Sequence, residues 1–401
     1  MKILNHDYAG HAFQIELSRA LARRGHEVVH VYNASDTTPK GPLAPRPDDP
    51  LSLTITGLTL PETVAKGSLV KRWRQERSYA RLAVERLRKV RPEVVISGNT
   101  PLDPQSALQK GCREVNARFV YWLQDLTGIA TNKILRKKLP VVGAVIGGHY
   151  ERLEARLLRD SDGIVAISED FLGLLSGMGV ASERIRVIEN WAPLEDVTPA
   201  EKVNAWSTKQ GLAERFAFIY SGAMGMKHNP ELLVRLAQAF RDDTSVRVVV
   251  ISQGIGADWL VEQKAANGLE NLVLLPYQPY DELPSTLGSA DVLVALLEPS
   301  AGTFSVPSKI LSYHCAGRPL LVAVPPENLA ARTVLSANSG LVVAPTDFEG
   351  WVVAARKLRE DEPARTQFAA NARRYAETKF AIEPITDRFE EALDPTPPSH
   401  R

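Results

Sequence analysis

Short apolar segments alternate along the first half of the chain with stretches in which apolar residues recur every three or four positions. In a predicted helix over residues 12–24, Phe13, Leu17 and Leu21 fall on one face, between apolar runs at 2–4 and 26–32. This strand–helix–strand order within about thirty residues indicates a βαβ unit with parallel strands. The pattern predicts further strands at 51–60, 94–97, 118–123, 163–167 and 186–188.

The second half of the chain repeats this order after a proline-containing linker at 190–199. Strands are predicted at 216–221, 246–252, 272–275, 292–297, 320–324 and 340–344, with helical segments between them. Strands that alternate with helices are typical of parallel sheets covered on both faces. We therefore predict an α/β protein with two Rossmann-like domains, 1–195 and 196–380. A last segment, 381–401, contains a helix that could return to the first domain, followed by a frayed tail.

Composition changes this picture little. The 401 residues are 44% hydrophobic and 24% charged, which fits a globular protein and excludes extensive disorder. There is no apolar run of about 18 residues, so no transmembrane helix is predicted. Two cysteines, Cys112 and Cys315, lie far apart in sequence, which favours a protein of a reducing compartment over a disulfide-built fold.

Charge is distributed unevenly, although the net value is only +1. Residues 1–195 hold 28 Lys+Arg and 22 Asp+Glu (+6), and the remainder holds 20 and 25 (−5). The segment 66–92 alone has ten basic residues against Glu76 and Glu85. A basic half predicts contact with an anionic surface, and random variation of surface charge is the alternative.

A second basic patch precedes an apolar run at 139–148. The patch consists of Lys133, Arg136, Lys137 and Lys138. The apolar run is too short to cross a bilayer, but it could lie at a membrane interface. The alternative is a helix buried in the first domain.

The strongest local motif follows the predicted strand 216–221. Ser221 is followed by Gly222 and Gly225, and Lys227 comes at the predicted start of a helix. Glycines let backbone N–H groups approach an anion, and a lysine adds positive charge, so this loop predicts a phosphate site. The motif is not a P-loop, and a tight turn with an incidental lysine is the alternative.

A second motif follows the predicted strand 292–297. Ser308 is predicted to cap a helix on which Lys309 and Ser312 share one face. A loop of mostly small residues precedes it, and the whole segment would suit a sugar diphosphate. The other candidate residues of this motif are Glu298, Gly302, Thr303, Phe304 and Ser305.

These motifs resemble the C-terminal domain of family-4 retaining glycosyltransferases of the GT-B fold. The resemblance rests on YSGAMGMK, LPYQPYDELPSTLGSADV and VPSKILSYHCAGRPLL in this order, while RRGHEVVHVY resembles the family's N-terminal domain. Three further segments, YWLQDLTG, SDGIVAIS and IENW, resemble segments of one bacterial branch of this family. That branch builds exopolysaccharide, capsule and O-antigen units and includes the fucosamine-type and colanic-acid transferases.

The resemblance implies an enzyme that moves a sugar with retention from a nucleotide sugar to a glycan or a polyprenyl-diphosphate-linked acceptor. The N-terminal domain would bind the acceptor and the C-terminal domain the donor, with both sheets facing a central cleft. The branch favours a UDP-linked donor, and neither a metal nor another cofactor nor a nucleic-acid partner is expected. The expected location is cytoplasmic, with peripheral association at the inner face of the cytoplasmic membrane through the basic N-terminal lobe.

The family's functional positions can be transferred one by one. Gly10 and His11 lie in the loop after the first strand, where the family has a glycine-rich loop near donor phosphate and acceptor. Asp125 lies where the family often has a histidine beside an acid, and could bind a sugar hydroxyl or cap the next segment. Tyr277 and Gln278 could contact the base.

Two departures from the family pattern stand out. No arginine accompanies Lys227, and the two family glutamates would fall at Phe304 and Ser312, leaving Glu298 as the nearby acid. Two alternatives therefore stay open: a sugar-nucleotide 2-epimerase of the same fold, and a non-catalytic, membrane-associated partner subunit.

One metal-like motif is given a structural interpretation. Asp160, Ser161 and Asp162 match a DxD pattern, but they precede a strand and so lie at its amino end. Because the expected site is at the carboxyl ends, we interpret the motif as a polar turn.

Overall fold

The computed structural model describes residues 1–64, 68–225, 228–299 and 308–394, apart from the side chains of Leu69 and Lys138. The chain divides into two compact units. Unit 1 comprises Met1–Asn190 and the segment from Ile382 onward, and unit 2 comprises Trp191–Ala381.

Unit 1 is built on a parallel sheet that has seven strands within the described residues, in the order β3-β2-β1-β4-β5-β6-β7. The strands are β1 (Lys2–Asp7), β2 (Glu27–Asn33), β3 (Leu53–Leu58), β4 (Val94–Gly98), β5 (Arg118–Leu123), β6 (Gly163–Ala166) and β7 (Ile185–Val187). Its helices are α1 (Ala12–Arg23), α2 (Leu69–Val90), α3 (Leu102–Val115), α4 (Thr127–Lys138), α5 (Pro140–Arg159) and α6 (Leu172–Gly177).

Unit 2 is built on a second parallel sheet, with six strands in the described part of the chain and the order β10-β9-β8-β11-β12-β13. The strands are β8 (Phe216–Ser221), β9 (Val246–Ile251), β10 (Leu272–Leu275), β11 (Val292–Leu296), β12 (Leu320–Ala323) and β13 (Gly340–Val343). The helices are α7 (Ala205–Lys209), α8 (Glu231–Ala239), α9 (Ile255–Asn267), α10 (Leu283–Gly288), α11 (Lys309–Cys315), α12 (Leu329–Ala337), α13 (Phe348–Glu360) and α14 (Glu362–Lys379).

The two sheets confirm the predicted α/β class with parallel strands. In each sheet the direction of winding reverses beside its first strand, between β1 and β4 and between β8 and β11. In open sheets, ligands bind at such reversal points, outside the carboxyl ends of the strands. The loops that follow β1, β8 and β11 are therefore the places to look for a site.

The sheet of unit 2 is largely apolar on both faces, because helices cover both. In unit 2, three neighbouring strands contribute Phe218, Val248 and Val294 to one core, where each side chain is completely buried. Trp351 of α13 packs into the same core. The Trp351 indole N–H donates to the Leu232 carbonyl oxygen at 3.0 Å, which satisfies the polar atom of this buried ring.

A last helix, α15 (Ile382–Leu393), belongs to unit 1 although it follows unit 2 in sequence. Its buried positions include Ile385, Phe389 and Leu393, spaced four residues apart. The Phe389 ring lies 4.7 Å from the Trp122 ring, centroid to centroid. Arg24, the residue that ends α1, forms ion pairs of 2.5 Å and 2.7 Å with the carboxylates of Asp387 and Glu390 on this helix.

Candidate functional site

The glycine loop after β8 lies at the reversal point of the unit 2 sheet. Gly222 has φ +133°, a conformation that side-chain-bearing residues rarely adopt. Its N–H donates to the Ile251 carbonyl at 3.0 Å, and the Met224 N–H donates to the Gln253 carbonyl at 3.3 Å. These bonds fix the loop beside the carboxyl end of β9.

The prediction that Lys227 opens the next helix is wrong. The helix α8 begins at Glu231, with Pro230 as its N-cap residue. The Asn229 side chain accepts the Glu231 N–H at 3.2 Å and thereby turns the chain into the helix at this point. Lys227 itself lies outside the described residues, so its role remains a prediction.

Lys309, the first residue of α11, lies beside this loop. Its Nζ donates to the Tyr220 hydroxyl at 2.5 Å and lies 3.8 Å from the centroid of the Tyr220 ring. A Cβ atom placed on Gly222 would come within 3.1 Å of Lys309 Cε. The structure therefore brings together the lysine of one motif and the glycine loop of the other.

Two tyrosines support this arrangement and were missed by sequence reasoning. Tyr313 of α11 accepts the Ser221 N–H at 3.0 Å and donates to the Val294 carbonyl at 3.1 Å, which joins the end of β8 to the middle of β11. Burial raises the pKa of Tyr220 and of Tyr313 well above the ordinary value, so both hydroxyls stay neutral. Phe216, Phe218 and Tyr220 alternate along β8, so the sequence marks Tyr220 only as a core residue.

His228 holds the far end of the loop and was also missed. Its Nδ1 accepts the Gly225 N–H at 3.1 Å, and its ring packs edge-on against Tyr220 at 6.3 Å between centroids. The described part of the loop is thus fixed at both ends before any ligand binds, which lowers the entropic cost of binding.

The predicted cap at Ser308 is wrong. Ser308 is the residue before α11, but its backbone is already helical (φ −55°, ψ −21°), and its side chain accepts no N–H of the helix. A capping serine needs an extended backbone to point its oxygen at the first turn. Ser312 lies partly exposed on the same helix. Besides Lys227, four predicted site residues lie outside the described residues: Gly302, Thr303, Phe304 and Ser305.

The two residues predicted to contact the nucleotide base, Tyr277 and Gln278, differ in how far their polar groups are already used within the unit. Tyr277, just after β10, is half-buried, and burial raises the pKa of its hydroxyl. The Gln278 amide is used within the unit: its oxygen accepts the Trp206 indole N–H at 2.9 Å, and its nitrogen donates to the Pro276 carbonyl at 2.7 Å. Glu298 follows β11 and is partly exposed, and burial raises the pKa of its carboxyl.

In unit 1, the loop after β1 is fixed by a buried aspartate rather than by several glycines. The Asp7 carboxylate accepts the Ala9 N–H at 3.1 Å and the His11 N–H, and the His11 ring nitrogen Nδ1 lies 3.4 Å from it. Burial raises the pKa of Asp7, but attraction and hydrogen bonds from His11 outweigh it, so the pKa is lowered. Gly10 has φ +81°, and an added Cβ would lie 2.9 Å from Leu43. His11 is thus presented, partly exposed, at the reversal point.

Asp125 follows β5 and is partly exposed. The next helix, α4, has Leu126 as its N-cap residue, directly after Asp125. The neighbouring Gln124 exchanges two amide hydrogen bonds with Asn190, of 3.2 Å and 2.5 Å. A role of Asp125 in binding a sugar hydroxyl remains a prediction.

The start of α4 is instead approached by Glu154, a residue of α5 that no motif marked. This fully buried carboxyl accepts the Thr127 hydroxyl at 3.3 Å and lies close to the backbone N–H groups of Thr127, Gly128 and Ile129. Burial raises its pKa to about 7, although these N–H groups act in the opposite direction. The start of α4, which follows Asp125, is therefore in contact with a carboxyl whose pKa is about 7.

Glu154→Gln tests this arrangement. The folded protein retains the Glu154 proton up to pH 7, whereas the unfolded chain releases it near pH 4.5. The wild type therefore loses stability as pH rises from 4.5 to 7, by about 3 kcal/mol. Glutamine cannot ionise, so the variant avoids this loss. Relative to wild type, its free energy of unfolding should therefore rise by about 3 kcal/mol from pH 4.5 to pH 7. Urea unfolding at pH 4.5, 6 and 7.5 measures it, and a pH-independent difference would contradict the assignment.

Within the described residues, no group of three or more His, Cys, Asp and Glu side chains is placed to hold a metal ion. The DxD-like motif lies at the amino end of β6, as the sequence predicted. Asp162 there accepts the Phe119 N–H at 2.7 Å, and Asp160 pairs with Arg113 at 3.0 Å. Over the same described residues, no helix is long and apolar enough to cross a membrane.

Comparison with solved structures identifies the architecture. Sucrose-phosphate synthase from Thermosynechococcus elongatus is similar over 98% of both chains (TM-score 0.73, 15% identity). HepE from Anabaena, in complex with UDP-glucose, is similar over 98% of this chain and 99% of its own (TM-score 0.69, 15% identity). WaaG, a glycosyltransferase involved in lipopolysaccharide biosynthesis, is similar to the same extent (TM-score 0.68, 15% identity). A search of curated proteins gives no significant match.

Two family models match the chain, one in each half. A glycosyl transferase 4-like domain matches residues 13–191, and the glycosyl transferases group 1 domain matches residues 203–375. Together with the fold, these matches define a glycosyltransferase of GT-B architecture. The chain belongs to the glycosyltransferases that combine a 4-like domain with a group 1 domain.

Proposed function

We propose that this protein transfers a sugar from a nucleotide-sugar donor, UDP-linked, to a glycan or polyprenyl-diphosphate-linked acceptor, with retention, in the synthesis of bacterial surface polysaccharide. The observation that carries the proposal is the position of Lys309 against the glycine loop at the reversal point of the unit 2 sheet. An ammonium group beside a fixed loop at the strand ends suits a diphosphate.

The proposed chemistry is departure of the nucleoside diphosphate, assisted by positive charge. The bond between the anomeric carbon and the phosphate oxygen breaks as an acceptor oxygen forms its bond on the same face, and the acceptor proton passes to the leaving phosphate. Lys309 and backbone N–H groups of the loop would stabilise the charge that develops on that phosphate.

The similar structures support the donor class. HepE was solved with UDP-glucose and WaaG acts in lipopolysaccharide biosynthesis. For this chain, the exopolysaccharide-type motifs noted in the sequence favour a lipid-linked acceptor. Such an acceptor would make peripheral attachment of the basic unit 1 to the inner face of the cytoplasmic membrane useful.

One experiment tests the proposal. Purified protein is incubated with a panel of nucleotide sugars and polyprenyl-diphosphate-linked acceptors, and the product linkage is analysed by NMR. Transfer with retained anomeric configuration supports the proposal. Inversion contradicts the stereochemical part, interconversion of donor epimers without transfer supports the epimerase, and binding without turnover supports the non-catalytic subunit.

We further expect activity without a divalent metal, because lysine and backbone donors would neutralise the diphosphate. Transfer rates should be equal, within about twofold, in EDTA and in added magnesium or manganese; this near-equality follows from charge stabilisation by protein groups. Loss of activity in EDTA that manganese or magnesium restores would contradict it.

A further inference from the structure

The helices α4 and α5 form a tight antiparallel hairpin whose facing surfaces are fixed by two glycines. A Cβ on Gly143 would lie 2.1 Å from the Leu135 carbonyl oxygen, and one on Gly147 would lie 2.5 Å from Asn132 Cα. Only glycine permits such a close approach of backbones. Because Gly143 and Gly147 are one turn apart, they define the face of α5 that points to α4.

The opposite face of α5 is apolar and exposed to solvent. Val141 and Val145 lie two residues from these glycines, so the helical period turns them outward. Their exposed fractions are 78% and 68%. The alternative of a buried helix, left open by the sequence, is therefore wrong for this face. The exposed apolar side chains of the hairpin, called here the hairpin patch, are Ile134, Leu139, Val141, Val142, Val145 and Ile146.

Basic residues on α4 adjoin this patch. Lys133, Arg136 and Lys137 are exposed, and none of the three forms a salt bridge within the part of the chain that the structure describes. Glu151, an acidic residue of α5, accepts a hydrogen bond from Asn132 on the facing helix. The patch therefore combines apolar side chains with uncompensated positive charge.

The N-terminal part of α2 also presents an exposed apolar side chain next to a basic one. Trp73 is 38% exposed, and the Arg77 guanidinium lies 4.8 Å from the centroid of its ring. The Trp73 indole lies by the hydroxyl of Tyr150 on α5, so the two helices are neighbours. Tryptophan with adjacent arginine and lysine is typical of side chains at a membrane interface.

We propose that the hairpin patch inserts into the interface of a bilayer that contains anionic lipid, with Lys133, Arg136 and Lys137 at the headgroups. Charge complementarity selects this occupant, because a second copy of the chain would bring one positive patch against another. This deepens the proposed function by naming the membrane-binding element, and its biological use rests on the proposed lipid-linked acceptor. Its test involves no sugar transfer, so either proposal can fail alone.

Insertion can be read from an environment-sensitive fluorophore at the patch. Both native cysteines are buried, so Val142→Cys offers a selective site for an NBD label, and Val261→Cys on α9, similarly exposed, is the matched control. With vesicles of phosphatidylcholine and phosphatidylglycerol, the label at 142 should shift to the blue and increase in intensity, and the label at 261 should not. Equal responses at the two positions would overturn insertion.

Two sets of variants separate the apolar and electrostatic contributions in vesicle flotation. Val141→Ser/Val142→Ser/Val145→Ser and Lys133→Glu/Arg136→Glu/Lys137→Glu should each lower partitioning about tenfold or more. Val261→Ser and Lys209→Ala should not. Unchanged partitioning of either set, or equal binding to neutral vesicles, would overturn the proposal.

Two further readouts complete the test. A blue shift that needs no vesicles and grows with protein concentration would assign the patch to a second copy instead. Transfer to a water-soluble acceptor should persist in both variant sets, because the exposed patch takes no part in the donor site. Retained transfer with lost flotation separates failure of docking from failure of the transferase.

Discussion

Replacement of Lys309 by alanine is expected to weaken binding of the UDP-sugar donor by about tenfold to a hundredfold. The ammonium group lies beside Gly222, where the proposed diphosphate would bind. Loss of a charge-assisted contact in such a site costs about 1.5–3 kcal/mol, which corresponds to this range. Titration calorimetry with UDP measures it. Lys227→Ala is expected to weaken binding at least about tenfold by the same reasoning.

Two further variants make the result specific. Lys209→Ala removes an exposed lysine of α7 in the same unit and should leave affinity unchanged. Tyr220→Phe keeps the ring beneath the Lys309 ammonium but removes its hydrogen bond, so the loss should be smaller, about threefold to tenfold. Full affinity of a folded Lys309→Ala protein would refute the assignment.

Acidification is expected to unfold the protein because three histidines are buried without charge. Burial lowers the pKa of His6, His30 and His314 to about 4. The unfolded chain takes up these protons near pH 6.5 and the folded chain only near pH 4, so stability falls as pH decreases between these values. Each histidine contributes a loss of about 3 kcal/mol. The contribution of Glu154 to stability increases as pH falls from 7 to 4.5, so it offsets part of the loss caused by the histidines.

The measurement is the free energy of unfolding in urea from pH 7.5 to 4.5. His30→Asn in unit 1 and His314→Asn in unit 2 each remove one titrating group, so each should flatten the pH profile of its own unit. His149→Gln, at an exposed position, serves as the control and should leave the profile unchanged. A profile as steep as that of wild type in both buried variants would contradict the explanation.

Strands were the most predictable part of this molecule. Each predicted strand is present in the structure, because most buried parallel strands contain a continuous apolar run. The strand β1 continues past its apolar run, through Asn5 and His6 to Asp7. Helix ends were less predictable. The helix α8 begins not at Lys227 but after Pro230, whose fixed φ suits the residue at a helix start.

For the candidate site, the sequence located the loops but not the contacts within them. Ser221, Gly222 and Lys309 could be proposed from motifs because glycines and lysines after strands are conspicuous. Tyr220 and Tyr313 could not, because a buried tyrosine hydroxyl becomes meaningful only when its partners are known. Glu154 lies on an amphipathic helix, and only tertiary packing shows that its carboxyl meets the start of α4.

The exposed hairpin patch shows a different limit. An apolar run of this length in sequence fits a buried helix as well as an interfacial one. The structure resolved the ambiguity through Gly143 and Gly147, whose contacts determine which face turns inward.

The return of α15 to unit 1 affects the order in which the protein can fold during synthesis. Unit 2 is continuous in sequence, whereas unit 1 needs a helix that emerges only after all of Trp191–Ala381. At about 5–20 residues per second, its first 190 residues wait about 10–40 s for that helix. Until then, Trp122 lacks the Phe389 ring that packs against it, and Arg24 lacks its carboxylate partners. The nascent chain therefore exposes an incomplete apolar surface that chaperones can bind, and unit 2 can finish folding before unit 1 does.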